Sequence, residues 1–348
     1  MVKFETGPSN KHSSVSLPDN TAAVDNDFDD LSSFSGPGYA RFAKAQIVLT
    51  GGGLSPDEEL RTLHRCSLEL QASLESPERE GRRPGEILYV TWASKSDHDQ
   101  ALKEFCDDVQ RVGLAGSLSV TLAPSYPAML GAEPTDNWKG EIFRELSEWE
   151  KKLVRKYDRF LQDVKAGAKI DSSVEQVIRN SIDFRSEFLR QLNGAGILYG
   201  SSGNQERMIE LASLCDVKDK IVRKILDGEL LYAGTSAGAA VAPGMMITPN
   251  GLKPGLGILP EHIAVDQHID AEGRNRVLRL MDSMLENPLF TVGIGIYEGT
   301  SVRIHGPVLS VIGGTNVMYI RKVGDDLVCK KISTGDSVLL YDENSADG

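Results

Sequence analysis

A mostly parallel, doubly wound α/β sheet is the architecture that this sequence predicts. Three observations carry that prediction. Short apolar runs of strand length alternate with longer segments of helical periodicity. Three of those runs stop at turns built around Gly51, Gly203 and Ser236, as strands do where they feed helices. The totals are those of an ordinary globular domain: 348 residues, 40% hydrophobic and 25% charged, enough for one large α/β domain or two modest ones.

Taken in order, residues 1–40 are rich in Ser, Asp, Asn, Gly and Pro. They cannot bury enough apolar surface to offset ordering, so a disordered or loosely draped tail is expected. A single α/β domain is expected over 41–342. It opens with a buried strand at 45–50 and the turn Gly51-Gly52-Gly53, which reads equally as plain turn chemistry or as a close approach to a ligand. A helix at 57–70, a strand at 87–92, a helix at 99–112 and a strand at 118–122 follow.

The rhythm breaks over about 131–190, a helical insertion. Ile142, Leu146, Trp149, Leu153, Tyr157, Phe160 and Val164 recur at helical spacing over 141–164, and a second helix is expected over 174–192. Such a hairpin covers the crevice, extends a dimer contact, or does neither. Beyond it come a strand at 196–199, helices at 205–214 and 217–227, and the strand of Leu230, Leu231 and Tyr232. A strand at 263–268 precedes an edge β meander of strands at 290–296, 301–304, 308–312 and 317–320, and 343–348 read as a frayed tail.

The net charge of −12 argues against a general nucleic-acid or anionic-membrane partner. Cys66, Cys106, Cys215 and Cys329 are far apart and form no CxxC pair, which favours free thiols in a reducing compartment over a disulfide framework or a zinc site. The N-terminus has no apolar run of signal-peptide length, and no window reaches the roughly 18 apolar residues of a spanning helix. A cytoplasmic protein is therefore expected.

The chemistry centres on Gly234-Thr235-Ser236-Ala237-Gly238, a Gly-x-Ser-x-Gly sequence with a short strand before it and a small-residue helix start after it. The same pattern occurs as an ordinary strand-to-helix turn. Read as a nucleophile elbow, it holds the Ser236 hydroxyl proud of the sheet edge, with the Ala237 amide aimed at an oxyanion. A serine hydroxyl needs a base. Of the six histidines, His268 ends the strand Ile263-Ala264-Val265-Asp266-Gln267-His268, where catalytic groups sit in an open α/β sheet. His12, His64, His98, His262 and His305 fall in the tail, a charged helix, a loop or turns. Glu298 closely follows the apolar strand Val292–Ile296 and reads either as the carboxylate that orients the imidazole or as a strand-end solvent residue.

Four segments in one order then carry a resemblance: the opening glycine turn, Ser202–Gln205 (SGNQ), Gly234–Ala240 (GTSAGAA), and Gly255–Arg274 (GLGILP…VDQHI…GR) followed by Gly293–Thr300 (GIGIYEGT). This resembles the cyanophycinase and aspartyl-dipeptidase serine peptidases of family S51, with Asp-Gln-His pointing to the cyanophycinase branch. The resemblance covers 45–125 loosely and 195–320 well, and omits the tail and the insertion. It implies a flavodoxin-like, class I glutamine-amidotransferase-like fold. By resemblance Ser236 is the nucleophile, His268 the base and Glu298 its carboxylate. Gly203 and Ala237 form the oxyanion hole, and Gln205, Asp266 and Gln267 line the substrate pocket. It implies no metal and no organic cofactor, a peptide or polypeptide as substrate, and a homodimer as the assembly to test. Expected chemistry is cleavage of aspartyl or β-aspartyl peptide bonds through an acyl-enzyme. Hydrolysis of a non-peptide amide and a non-catalytic binding role on the same scaffold are the alternatives; amidotransferases normally carry cysteine at the elbow.

The chain departs from that pattern at the substrate-carboxylate arginines. Arg274 matches one, but Glu272 and Val277 stand where two others are expected, with Arg276 one step away. Tyr297 stands where an acidic residue is common, and the loop after the elbow is shorter. A carboxylate in place of a guanidinium reverses the charge of that subsite, so an intact scissile centre with altered specificity is expected.

Overall fold

The computed structural model describes residues 2–4, 42–52, 56–73, 83–93, 98–124, 172–214, 216–269 and 274–340. Among them the chain runs β1 (Val2–Phe4), β2 (Gln46–Thr50), α1 (Pro56–Ser73), β3 (Arg83–Val90), α2 (His98–Arg111), β4 (Ser119–Leu122), α3 (Ser172–Gly194), β5 (Ala195–Gly200), α4 (Gln205–Leu214), α5 (Lys218–Leu226), β6 (Leu231–Thr235) and α6 (Ala237–Ala240). There follow β7 (Met245–Thr248), β8 (Gly251–Pro254), β9 (Ile263–Ile269), α7 (Arg274–Glu286), β10 (Val292–Tyr297), β11 (Ser301–His305), β12 (Val308–Gly313), β13 (Asn316–Val323), β14 (Asp326–Ser333) and β15 (Ser337–Leu339).

An eight-stranded sheet has the order β15-β12-β11-β2-β6-β5-β3-β4. Its block β2-β6-β5-β3-β4 is parallel throughout. β2 and β5 are buried at every position, which is why neither alternates apolar with polar residues along its length. β12 instead alternates buried and half-buried residues, the signature of a strand covered on one face.

The expected mostly parallel sheet thus describes only this block: the sheet as a whole is mixed. β9 and β10 lie outside it, in a second, five-stranded sheet of order β1-β14-β13-β10-β9. The physical reason lies at the edge of β2, which is filled by β11 running antiparallel. β11 returns as β12 through a two-residue turn at Gly306-Pro307, a connection open only to antiparallel strands. The expected meander is therefore split, β11 and β12 in one sheet and β10 and β13 in the other. The expected N-terminal tail contributes β1, paired parallel to β14. The rest of 1–40, the helix expected at 141–164, and 343–348 lie outside the described residues. The hairpin β7–β8 and helix α7 were not anticipated.

Helices cover both faces of the parallel block. On one face Phe184, Phe188 and Leu192, four residues apart along α3, pack with Trp92, Leu88, Leu198 and Tyr232. The Trp92 ring centroid lies 5.6 Å from that of Phe184 and 4.8 Å from that of Phe188. Its indole N–H donates to the Pro124 carbonyl at 2.9 Å, so the ring is buried without an orphaned donor. On the other face Leu60 and Leu63 of α1 and Val109 of α2 cover Val48, Ile87, Ile197 and Leu231. Each such side chain contributes about 1.5–3 kcal/mol on burial. A third cluster sets Leu280, Met281 and Met284 of α7 against Ala264, Met318 and Ile320 of the smaller sheet.

Candidate active site

The elbow comes first because its backbone is the most constrained. β6 ends at Thr235, Ser236 turns with φ 51° and ψ −110°, and α6 starts at Ala237. Only small residues permit this path. A Cβ at Gly234 would lie 2.5 Å from the Gly238 carbonyl, and one at Gly238 would lie 2.1 Å from the Gly200 carbonyl oxygen. The Ser236 amide donates to the Thr50 carbonyl at 3.0 Å, and the Tyr232 hydroxyl donates to the Gly238 carbonyl at 2.7 Å. Strand, turn and helix are thereby pinned to the ends of β2 and β5.

His268 arrives from the other sheet. It lies near the end of β9, also with positive φ (59°). Among the described non-glycine residues Asp216, Ser236 and His268 have φ in this range, and strained backbone of this kind gathers at functional sites. The His268 amide donates to the Gly51 carbonyl at 3.2 Å. The Glu298 amide donates to Ile269 at 2.9 Å, and the Gly299 amide to Gly52 at 2.6 Å. The opening glycine turn thus joins β2 of the large sheet to the ends of β9 and β10.

These ties bring three side chains into line. Ser236 Oγ lies 2.6 Å from His268 Nε2, and His268 Nδ1 lies 3.1 Å from Glu298 Oε1. With the proton on Nδ1 donated to Glu298, Nε2 is free to accept from the serine hydroxyl. The imidazole is half-buried and the carboxylate more than half exposed, so the cluster opens to solvent at the glutamate. The arrangement can deprotonate the seryl oxygen as it attacks and hold the resulting imidazolium.

Gly52 was not singled out as a site residue by sequence reasoning. Its φ is +94°, and a Cβ built on it would meet His268 Cε1 at 2.4 Å. The imidazole lies directly over this glycine. Gly52→Ala is expected to push the ring off line and slow covalent labelling of Ser236 by a fluorophosphonate about 100-fold, the scale set by a misplacement of ~1 Å. Unaltered labelling would show that the ring has another seat.

The remaining expected residues are placed as follows. Gly203 is exposed, with φ 133°, in the turn after β5. That turn is tied down by Ser201 N–H to Val90 (3.0 Å), Asn204 N–H to Ala93 (2.7 Å) and Gly238 N–H to Ser201 (3.2 Å). It therefore lies beside the elbow helix that Ala237 opens. The Gln205 side-chain amide donates to the Ile247 carbonyl at 2.7 Å. Gln267 is buried, and its side-chain carbonyl has no hydrogen-bond partner among the described residues.

Asp266 is the correction. Expected to line the pocket, it is 0% exposed. Its oxygens accept from Arg279 Nε and a terminal nitrogen at 2.8 and 2.5 Å, and from the Gln267 amide at 2.9 Å. Arg276 stands 3.6 Å from the same carboxylate and donates to the Gln267 carbonyl at 3.0 Å. A carboxylate this deep needs a cation, and α7 supplies it. Val277 packs against the apolar cluster between α7 and the smaller sheet. Arg274 begins α7; Glu272 lies outside the described residues.

The profile of Peptidase family S51 matches residues 151–312. Over these residues the chain is similar to peptidase family S51. The S51 match spans the elbow, β9, α7 and β10, and so takes in Ser236, His268 and Glu298. A cyanophycinase from Synechococcus elongatus is 31% identical over 148 residues, 39% of this chain and 45% of that protein. A cyanophycinase from Trichormus variabilis is 36% identical over 147 residues, 39% of this chain and 48% of that protein. The chain spans about half the length of the curated relatives it matches. A crystal structure of a peptidase from an acI-B1 Actinobacterium superposes with a TM-score of 0.51 at 15% identity, covering 85% of this chain and 96% of that one; it supports the fold. No helix among the described residues is long and apolar enough to cross a membrane.

Proposed function

We propose that this protein is a serine peptidase that cleaves aspartyl or β-aspartyl peptide bonds through an acyl-enzyme on Ser236. The observation that carries the reading is the line Ser236 Oγ–His268 Nε2–Glu298, with steps of 2.6 and 3.1 Å. In the first half-reaction Ser236 Oγ attacks the scissile carbonyl while His268 Nε2 takes its proton. Glu298 stabilises the imidazolium, and the Ala237 and Gly203 amides receive the oxyanion. His268 then protonates the departing amine. In the second half-reaction water gives a proton to His268 as it attacks the acyl carbon, and His268 returns that proton to Ser236 Oγ as the acyl–oxygen bond breaks and the acid is released.

The substrate's charge follows from the arginines. Arg276 and Arg279 are turned onto Asp266 and Val277 is packed, so Arg274 is the arginine this reading keeps for a substrate carboxylate. A subsite with fewer cations than the β-Asp-Arg pattern favours small aspartyl peptides over a densely charged polymer.

Incubation of the purified protein with α-aspartyl, β-aspartyl and unrelated dipeptides tests the proposal. Aspartyl substrates are expected to be hydrolysed at least about tenfold faster than the unrelated ones, a difference of ~1.4 kcal/mol in transition-state binding. Equal rates would remove the aspartyl specificity. No turnover with any peptide, together with no fluorophosphonate labelling, would remove the peptidase reading.

A further inference from the structure

A buried carboxylate near the elbow takes no part in the relay. Glu59 lies in the first turn of α1 and is 6% exposed. The Tyr199 hydroxyl of β5 donates to its Oε1 at 3.0 Å, and the Thr50 hydroxyl of β2 faces the same carboxyl. Each hydroxyl continues the network. Tyr199 faces the Thr235 side chain of β6, and Thr50 lies 2.8 Å from the Ser301 hydroxyl of β11. Thr50 is the register partner of both Thr235 and Ser301. One carboxyl therefore ties together four adjacent strands, β11, β2, β6 and β5, at the edge where the elbow forms.

Two of the tied residues hold Ser236 directly. Thr235 precedes it in the chain, and the Thr50 carbonyl accepts its amide. We propose that Glu59 is a positioning residue for the Ser236 elbow, and that it performs this role best as the neutral acid. This rests on reading Ser236 as the nucleophile.

The neutral form follows from its surroundings. The titratable groups facing Glu59 are Tyr199 of β5 and Tyr89 of β3, with Glu104, Cys106 and Asp108 of α2 acting on Tyr89 from beyond. β2, β6 and β11 present the uncharged Thr50, Thr235 and Ser301. Among the described residues no cation is among the groups that act on Glu59, and burial pushes its carboxyl up to about 7 despite the two hydroxyls that face it. As an acid, Glu59 accepts from Tyr199 and donates its own O–H to Thr50, which turns its hydroxyl toward Ser301. As a carboxylate, it reverses the Thr50–Ser301 bond and leaves an uncompensated charge beneath the elbow. That charge opposes the negative charge that develops on the reacting oxygen.

The linkage sign is definite. The folded-state pKa is above the unfolded one, so the contribution is fully present below the unfolded value of 4.5 and is lost as pH rises through about 7. Glu59→Gln copies the neutral acid: its carbonyl accepts from Tyr199 and its amide donates to Thr50. Two measurements on the full chain decide the matter. Fluorophosphonate labelling, in which the Ser236 Oγ–P bond forms, fluoride leaves and the seryl proton passes to His268, is followed across pH in wild type and Glu59→Gln. The wild-type to variant rate ratio is expected to fall at least about threefold between about pH 5.5 and about pH 8.5. Over the same interval the Tm of the variant should rise relative to wild type. A flat rate ratio with labelled wild type overturns the positioning role. A constant Tm difference overturns the neutral acid. If wild type is not labelled at all, the nucleophile reading fails, the positioning role falls with it, and the thermal arm alone decides the charge state of Glu59.

Discussion

Ser236→Ala is expected to abolish both fluorophosphonate labelling and peptide turnover, with losses of about 10⁴–10⁶-fold in kcat and an unchanged Tm. The expectation follows from the elbow's construction. An alanine at 236 keeps the Cβ that the turn already accommodates, and the tie from the 236 amide to Thr50 is untouched, so the strand-to-helix path survives. What disappears is the Oγ that lies 2.6 Å from His268 Nε2. His268→Ala should cost nearly as much, because an unassisted hydroxyl is a poor nucleophile at neutral pH. The double variant should be little worse than either single one, since groups that act as a unit lose their function together. Glu298→Gln is the milder probe: the carboxylate is 54% exposed, so water partly replaces it. Turnover retained in Ser236→Ala would displace the reaction to another side chain, and additive losses in the double variant would show that hydroxyl and imidazole do not act together.

Much of this centre was legible in the sequence because its parts obey local rules. Gly234 and Gly238 flank a serine where only small residues fit, and His268 and Glu298 stand at the ends of apolar runs. The alternation of runs and helices located most elements of the parallel block. What the residues could not announce was long-range pairing. An apolar run such as Val292–Ile296 reads the same whichever sheet it joins, so nothing local places β9 and β10 in a second sheet. Helix α7 carried a usable signal in Val277, Leu280, Met281 and Met284, which repeat at helical spacing. Gly52 and Glu59 carried less. A glycine in a glycine-rich turn gives no hint that an imidazole lies on it. A glutamate in a first helical turn ordinarily faces water and favours the helix dipole; at Glu59 the pairing of β2, β6 and β5 sets Tyr199 and Thr50 against it instead.

Asp266 shows how a residue of site-like sequence serves the site from beneath, and it makes the last prediction. Arg279→Met is expected to destabilise the fold by roughly 1.5–3 kcal/mol, the scale of losing charged hydrogen bonds to a buried carboxylate that keeps a more distant cation. Asp266 is fully buried and loses both bonds from Arg279, keeping the Gln267 amide and a guanidinium 3.6 Å away. A lower urea midpoint at constant m-value would record the loss. Asp266→Leu combined with Arg279→Met removes both charges and should recover most of it, since an apolar pair of similar bulk matches a buried ion pair. Arg276→Met separates stability from function. Its guanidinium is 38% exposed, so its removal should cost only about 1 kcal/mol. Yet it holds the carbonyl of Gln267, the residue before His268, so labelling of Ser236 should slow by more than that stability loss implies. If Arg279→Met unfolds at the wild-type midpoint, Asp266 is not held by this clamp, and a direct role for its carboxylate in the cleft returns.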